Sequence, residues 1–127
     1  MSRVLIAEDE DSLRSLVQRA LLLDGHDVQV AQDGAEALDI LGRERGRFDL
    51  LLADIKMPIM DGIALALAAA RDFPNLTILL MTGYADQRER AFGLEALIHD
   101  VITKPFTVAE IQGAVMSALA AAALKSL

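Results

Sequence analysis

Five short apolar runs, each followed by a stretch with helical periodicity, recur along this 127-residue sequence. The first run, Val4-Leu5-Ile6-Ala7, is continuously apolar, which is typical of a strand covered on both faces. The apolar residues that follow keep the i, i+3, i+4, i+7, i+8 spacing of one helical face: Leu13, Leu16, Val17, Ala20 and Leu21. Strands that alternate with helices in this way predict βαβ units and a parallel sheet.

The remaining elements continue the alternation. Further strands are predicted over residues 27–31, 48–53, 77–81 and 101–103, and further helices over 34–45, 62–72, 86–92 and from 108 onward. Gly25 suits a left-handed helix end, and Asp61 suits a helix start. Thr107 with Glu110 three residues later forms a capping box before the last helix.

Together the elements predict an α/β fold in one domain over residues 1–127. Right-handed crossovers leave few strand orders for five parallel strands with helices on both faces. The flavodoxin-like (βα)5 doubly wound sheet, with strand order 2-1-3-4-5, accommodates them.

Composition excludes several classes of function. A net charge of −7 argues against binding a nucleic-acid phosphate backbone. The absence of Cys excludes disulfides and thiolate metal sites, and two His are too few for a His-rich zinc site. The longest apolar run, residues 63–70, falls far short of the ~20 residues that span a membrane. The first ten residues, MSRVLIAEDE, contain no apolar stretch that ends in a cleavage site, so we expect no signal peptide. We therefore expect a cytoplasmic protein with no membrane contact.

Polar residues gather where the predicted strands end. Glu8 and Asp9 follow the first strand, Asp54 the third, Thr82 the fourth and Lys104 the fifth. In this fold, ligands bind at the carboxyl ends of the strands, where the strand order reverses. An all-oxygen acidic cluster suits a hard cation such as Mg²⁺, which keeps water and phosphate as further ligands. A carboxylate, a cation, a lysine and a hydroxyl together suit aspartyl-phosphate chemistry.

At these residues the chain resembles the response-regulator receiver domains of the CheY-like type. The matching segments span the chain in order: VLIAEDE at 4–10, DIKMPIMDG at 54–62, MTG at 81–83 and TKPF at 103–106. The resemblance implies that Asp54 is the phosphoacceptor. It implies that Glu8, Asp9, Asp54 and the backbone carbonyl of Lys56 hold Mg²⁺, and that Thr82 and Lys104 contact the phosphoryl group. It also implies a cis peptide bond between Lys104 and Pro105.

One position departs from the family pattern. Three residues before the lysine of strand 5 the family usually has Tyr or Phe, whose ring swings inward when the threonine moves, whereas this chain has Val101. Since a β-branched side chain is stiff, we expect the Thr82 half of the switch without its aromatic half. Lys56 and Tyr84 stand at positions that in this family flank the route of the attacking water, so we expect them to set the lifetime of the phosphate.

The resemblance also implies a role and partners. It indicates a single-domain regulator of a two-component phosphorelay that receives its phosphoryl group from a histidine kinase or histidine phosphotransferase, with no effector domain expected after Leu127. Such a domain catalyses only its own phosphorylation and dephosphorylation. A weaker similarity to the CpdR-like regulators of alphaproteobacteria would make the downstream partner the ClpXP protease; otherwise the downstream protein is unknown.

Other classes of function fit the sequence less well. A flavodoxin would need a hydroxyl- and Gly-rich loop for the FMN phosphate, where this chain has Glu8-Asp9-Glu10-Asp11. A haloacid-dehalogenase-type phosphatase would want an acid two residues after its nucleophile, where this chain has Lys56. The alternative that remains open is a constitutive protein-binding module or phosphate sink, whose switch is uncoupled at Val101.

Overall fold

The computed structural model describes residues 2–125, and these form one five-stranded sheet with five helices. The elements in chain order are β1 (Arg3–Ala7), α1 (Asp11–Leu23), β2 (Asp27–Ala31), α2 (Gly34–Arg43), β3 (Leu50–Asp54), α3 (Gly62–Asp72), β4 (Thr77–Thr82), α4 (Ala85–Phe92), β5 (Asp100–Thr103) and α5 (Val108–Lys125). All four strand pairings are parallel, and the strand order is β2-β1-β3-β4-β5. The predicted fold class and strand order are confirmed.

The side chains of the central strands alternate between two apolar clusters, one on each face of the sheet. Leu5 and Leu51 point into the cluster that α2, α3 and α4 cover. Ile6 and Leu52 point into the cluster that α1 and α5 cover. Every residue of β3 is buried, which explains why this strand is an unbroken apolar run up to Asp54.

Helix α5 is the one described helix whose length and composition would suit a membrane span, with a mean hydropathy of 1.3 over 18 residues. In this fold it has another role. Ile111, Val115 and Ala118 are buried in the cluster that α5 shares with α1. The Gln112 side chain also donates a hydrogen bond to the carbonyl oxygen of Ala20 in α1, at 2.9 Å. Helix α5 thus packs on α1 through one narrow face, and most of its other residues are not buried.

Some predicted boundaries were wrong by one or two residues. Helix α2 stops at Arg43 because Arg45 and Gly46 adopt left-handed backbone angles, with φ of 56° and 67°. Strand β3 starts at Leu50, because the N–H of Phe48 donates to the carbonyl of Gly46 in the preceding turn. Strands β3 and β4 each run one residue further than predicted, and α4 starts one residue earlier. Asp54 and Thr82 are therefore the last residues of their strands.

The features predicted at three helix ends are confirmed. Gly25 has a left-handed φ of 84° after α1. The Asp61 carboxylate accepts a hydrogen bond from the N–H of Ala64 at 2.8 Å and caps α3. Thr107 and Glu110 form the reciprocal capping box of α5, with distances of 3.0 and 3.1 Å. These caps set where the loops around the strand ends begin and end.

Gly62 allows the chain to pass close behind Asp54. A Cβ added at Gly62 would overlap the backbone carbonyl oxygen of Asp54. We expect Gly62→Ala to lower the free energy of unfolding by about 1–3 kcal/mol, because backbone must shift to make room.

The matched control is Gly113→Ala in α5, where an added Cβ meets no atom within 4 Å. This variant should be more stable than the wild type by roughly 0.5–1 kcal/mol, because alanine restricts the unfolded chain and favours the helix. Urea denaturation measures both. A Gly62→Ala protein as stable as the wild type would contradict the close approach.

Candidate functional site

The register of the sheet brings the predicted site residues to one edge. Ala7 pairs with Ala53 in the β1–β3 ladder, so the next residues, Glu8 and Asp54, lie at neighbouring strand ends. Thr82 pairs with Thr103 in the β4–β5 ladder, which places Lys104 just beyond the end of β5. The four side chains therefore come from four strand ends although they are up to 96 positions apart in sequence.

Three carboxylates converge at this edge. Glu8, Asp9 and Asp54 each offer an oxygen, and these oxygens all lie within 4.8 Å of one another. Glu8 is 1% exposed and Asp54 is 5% exposed, whereas Asp9 faces solvent. A cluster of carboxylate oxygens, open on one side, fits a hard divalent cation that retains water ligands.

Lys104 links two of these carboxylates. Its Nζ donates to Glu8 Oε1 at 2.9 Å and to Asp54 Oδ2 at 2.7 Å. Among the described residues these are the ion pairs with the most deeply buried carboxylates. The peptide bond from Lys104 to Pro105 is cis, as the sequence resemblance implied.

Burial and neighbouring charges shift the pKa values of Glu8 and Lys104. Burial raises the pKa of Glu8 to about 7, and repulsion from Asp54 adds to the shift while the hydrogen bond from Lys104 opposes it. Burial alone would lower the pKa of Lys104, but its hydrogen bonds to Asp54 and Glu8 outweigh that and raise it. At neutral pH the lysine is therefore a fixed positive charge beside a Glu8 carboxyl that is only partly ionised.

The Thr82 hydroxyl contacts the loop between β4 and α4 and the first turn of α4. It is 3.2 Å from the carbonyl oxygen of Tyr84 and accepts a hydrogen bond from the N–H of Tyr84 at 3.1 Å. Its Oγ1 is also 3.4 Å from Oε1 of Gln87, in the first turn of α4. Thr82 is 1% exposed and follows Met81, which pairs with Asp54 in the β3–β4 ladder.

The side chains of Lys56 and Tyr84, which follow β3 and β4, contact each other. The ammonium group of Lys56 lies 4.8 Å from the centre of the Tyr84 ring, which is a cation–π contact. Both side chains are exposed, with Tyr84 at 51%. The structure therefore brings into contact the two residues that the sequence singled out together.

Val101 packs inward on the opposite side of β5 from the lysine. It is half-buried against the cluster covered by α2, α3 and α4. With Phe92 and Ile98 it lines a cavity of about 180 Å³ between α4 and β5. No aromatic ring stands at this strand position, which agrees with the departure noted in the sequence.

Sequence reasoning missed the polar residues of α4. Gln87 contacts the Thr82 hydroxyl, and Arg90 forms an ion pair with Asp61 at 3.1 Å. Arg88 Nη1 donates to the Thr103 hydroxyl at 2.8 Å. The sequence carried one hint, since α4 has too few apolar residues to be held by packing alone, but spacing does not reveal which residues they contact.

The family model for the response regulator receiver domain matches residues 4–116. Among curated proteins, the response regulators MprA of Mycobacterium sp. (strain KMS) and Mycobacterium avium (strain 104) are each 34% identical over 109 residues, or 86% of this chain. The chain spans 46% and 47% of the length of these two relatives, which is about half.

Solved structures give the same result. A CheY-like receiver domain protein from Methanospirillum hungatei JF-1 superposes with a TM-score of 0.89 at 27% identity, covering 98% of each chain. The response regulator TrrA from Thermotoga maritima, solved in complex with Mg²⁺-BeF, superposes with a TM-score of 0.80 at 27% identity. That superposition covers 92% of this chain and 98% of TrrA.

The raised pKa of Glu8 predicts how stability depends on pH without divalent cations. Folded Glu8 holds its proton up to about pH 7, against an ordinary value of 4.5, so the folded state binds more protons between these values. This contribution to stability is fully present below pH 4.5 and is lost as pH rises through 7. Glu8→Gln should therefore exceed the wild type in stability at pH 8 by on the order of 1–3 kcal/mol.

Urea denaturation in EDTA at pH 5.5 and pH 8 measures this difference. The control is Glu89→Gln, which neutralises an exposed acid of α4. The prediction is wrong if the Glu8→Gln and wild-type proteins lose stability in parallel between the two pH values.

Proposed function

This chain belongs to the response regulator receiver domains of two-component systems, and from that membership we propose that Asp54 accepts a phosphoryl group and thereby changes the affinity of the chain for a partner protein. The donor is a histidine kinase or a histidine phosphotransferase. The domain catalyses only its own phosphorylation and dephosphorylation and does not turn over an external substrate.

The observation that carries this proposal is the pair of contacts from Lys104 to Asp54 and Glu8. In the transfer, an oxygen of the Asp54 carboxylate attacks the phosphorus of the donor, the bond to the donor nitrogen breaks, and that nitrogen leaves with the bonding electron pair. Two charges of the same sign approach in this step, so a fixed cation beside the nucleophile lowers the barrier. Lys104 supplies that cation at 2.7 Å from Asp54.

The acid cluster fits Mg²⁺ by its donor chemistry. Glu8, Asp9 and Asp54 would hold the ion, with the backbone carbonyl of Lys56 as a further oxygen ligand. When bound, Mg²⁺ neutralises negative charge on the phosphoryl oxygens. The chain itself orients the nucleophile and excludes water from Asp54, which is 5% exposed.

Thr82 and Lys104 are the proposed contacts to the transferred group. The Thr82 hydroxyl donates one hydrogen bond, and the Lys104 ammonium can keep one carboxylate while it turns a second N–H toward a phosphoryl oxygen. Both side chains lie within the strand-end crevice that holds Asp54.

We assign the lifetime of the phosphorylated state to Lys56 and Tyr84. Their cation–π contact joins the loop after β3 to the start of α4. A water molecule that hydrolyses the acyl phosphate must approach phosphorus in line with the Asp54 oxygen, so a closed pair here slows its approach.

The output and the location are further parts of the proposal. We expect a cytoplasmic protein whose receiver domain binds the partner. The segments AED at 7–9 and TGYA at 82–85, with Val101, resemble the CpdR-like regulators and favour substrate delivery to the ClpXP protease as one such output. Val101, half-buried without a ring, favours a second candidate, a constitutive binding module or phosphate sink.

Intact-mass spectrometry after incubation with acetyl phosphate tests the chemistry. We expect one added phosphoryl group on the wild type, dependent on Mg²⁺, and none on Asp54→Ala. Asp61→Ala is the matched control, because it removes a carboxylate of the next helix cap and leaves the acid cluster intact. Addition to Asp54→Ala, or addition without Mg²⁺ at the same rate, would contradict the assignment.

The Lys56–Tyr84 pair makes a separate prediction. Lys56→Ala and Tyr84→Ala should each shorten the half-life of the phosphorylated protein, by roughly two- to fivefold for a cation–π contact worth about 0.5–1 kcal/mol at an exposed site. Their combined effect should be less than the product of the two single effects, because each variant breaks the same contact. Lys125→Ala, which removes an exposed lysine of α5, should leave the half-life unchanged. Independent, multiplicative effects would contradict a shared cover.

A further inference from the structure

The Thr82 hydroxyl has one proton and two acceptors, and both acceptors lie on the side of α4. The carbonyl oxygen of Tyr84 is 3.2 Å away, and Oε1 of Gln87 is 3.4 Å away. Because Thr82 is 1% exposed, bulk water does not replace a lost partner. A phosphoryl group on Asp54 that takes this hydroxyl must therefore compete with both acceptors.

We propose that Gln87 is a positioning residue that holds the Thr82 hydroxyl toward α4 while Asp54 is unphosphorylated, and that release of this contact reports phosphorylation to α4. The inference rests on the proposed function of Asp54. Tyr84 contributes only backbone atoms to the contact, so any residue at that position would supply them. Gln87 is the side chain that makes the hydroxyl sensitive to the position of α4.

Helix α4 is attached to the fold mainly by polar contacts. Of its eight residues only Ala91 is buried. Arg88 Nη1 donates to the Thr103 hydroxyl at 2.8 Å, and Arg90 Nη2 donates to Asp61 Oδ2 at 3.1 Å. Exposed contacts of this kind contribute little stability each, so α4 can be shifted at low cost when one of them is lost.

Two of these contacts end at or beside a residue of the site. Gln87 reaches Thr82 itself. Arg88 reaches the residue before Lys104, and Arg90 reaches Asp61, which caps the helix that follows the Asp54 loop. A phosphoryl group on Asp54 that draws the Thr82 hydroxyl away from Gln87 therefore gives the domain a route to α4 that needs no ring at Val101.

Titration with Mg²⁺ and beryllofluoride, a phosphoryl mimic, tests the proposal on the full chain. Gln87→Met keeps the length of the side chain and its helix propensity but removes the acceptor. Since this variant removes one of the two acceptors that compete with the phosphoryl group, while the Tyr84 carbonyl remains, it should bind the mimic about two- to threefold more tightly than the wild type. In a Thr82→Ala background the same substitution should change nothing, because the hydroxyl is absent.

Two further variants make the test specific. Gln87→Leu, which also lacks an acceptor, should show the same gain, and Glu89→Gln on the exposed face of α4 should show none. Equal affinity of Gln87→Met and the wild type overturns the inference, as does an equal gain in the Thr82→Ala background. If the wild type binds no beryllofluoride at all, the proposed function of Asp54 fails first, which is a distinguishable result.

Discussion

The site depends on a single lysine that holds two buried carboxylates together. Glu8 and Asp54 come from neighbouring strands and are almost fully buried, an arrangement that repulsion and desolvation both oppose. Lys104 contacts both at hydrogen-bond distance and compensates part of that cost. The same positive charge faces the position where charge builds up during phosphoryl transfer, so the group that stabilises the resting site also serves the proposed chemistry.

Much of this fold could be predicted from the sequence, because its signals are local and repeated. Short local patterns predict several elements: the apolar run of β1, the apolar stripe of α1, and the caps at Asp61 and Thr107. The end of α2 could not be predicted, since it depends on left-handed backbone at Arg45, a residue type that gives no warning of it. Phe48 was expected in the third strand, yet it lies before β3, just after a turn. Its ring is buried there, with the guanidinium carbon of Arg3 4.5 Å from the ring centre.

The residues of the site could likewise be predicted only in part. Asp54, Glu8 and Lys104 follow from the sequence because parallel strands bring their carboxyl ends to one edge and each residue stands directly at a strand end. The contact between Lys56 and Tyr84 depends on the paths of two loops. The contacts of Gln87, Arg88 and Arg90 depend on the rotation of α4, which buries only one residue and so carries no apolar stripe that would fix its orientation in advance. The sequence therefore does not predict the polar contacts of α4, because this helix is weakly packed.

The most direct test of this account is a calorimetric titration of Mg²⁺ into the wild type and into Lys104→Met. If Lys104 neutralises Glu8 and Asp54 in the resting site, its ammonium group and Mg²⁺ compete for the same carboxylate oxygens. The account then predicts that Mg²⁺ binds more tightly to Lys104→Met than to the wild type. Unchanged or weaker binding to a folded Lys104→Met protein would show that the lysine does not hold the charge of this site, and would contradict the central claim.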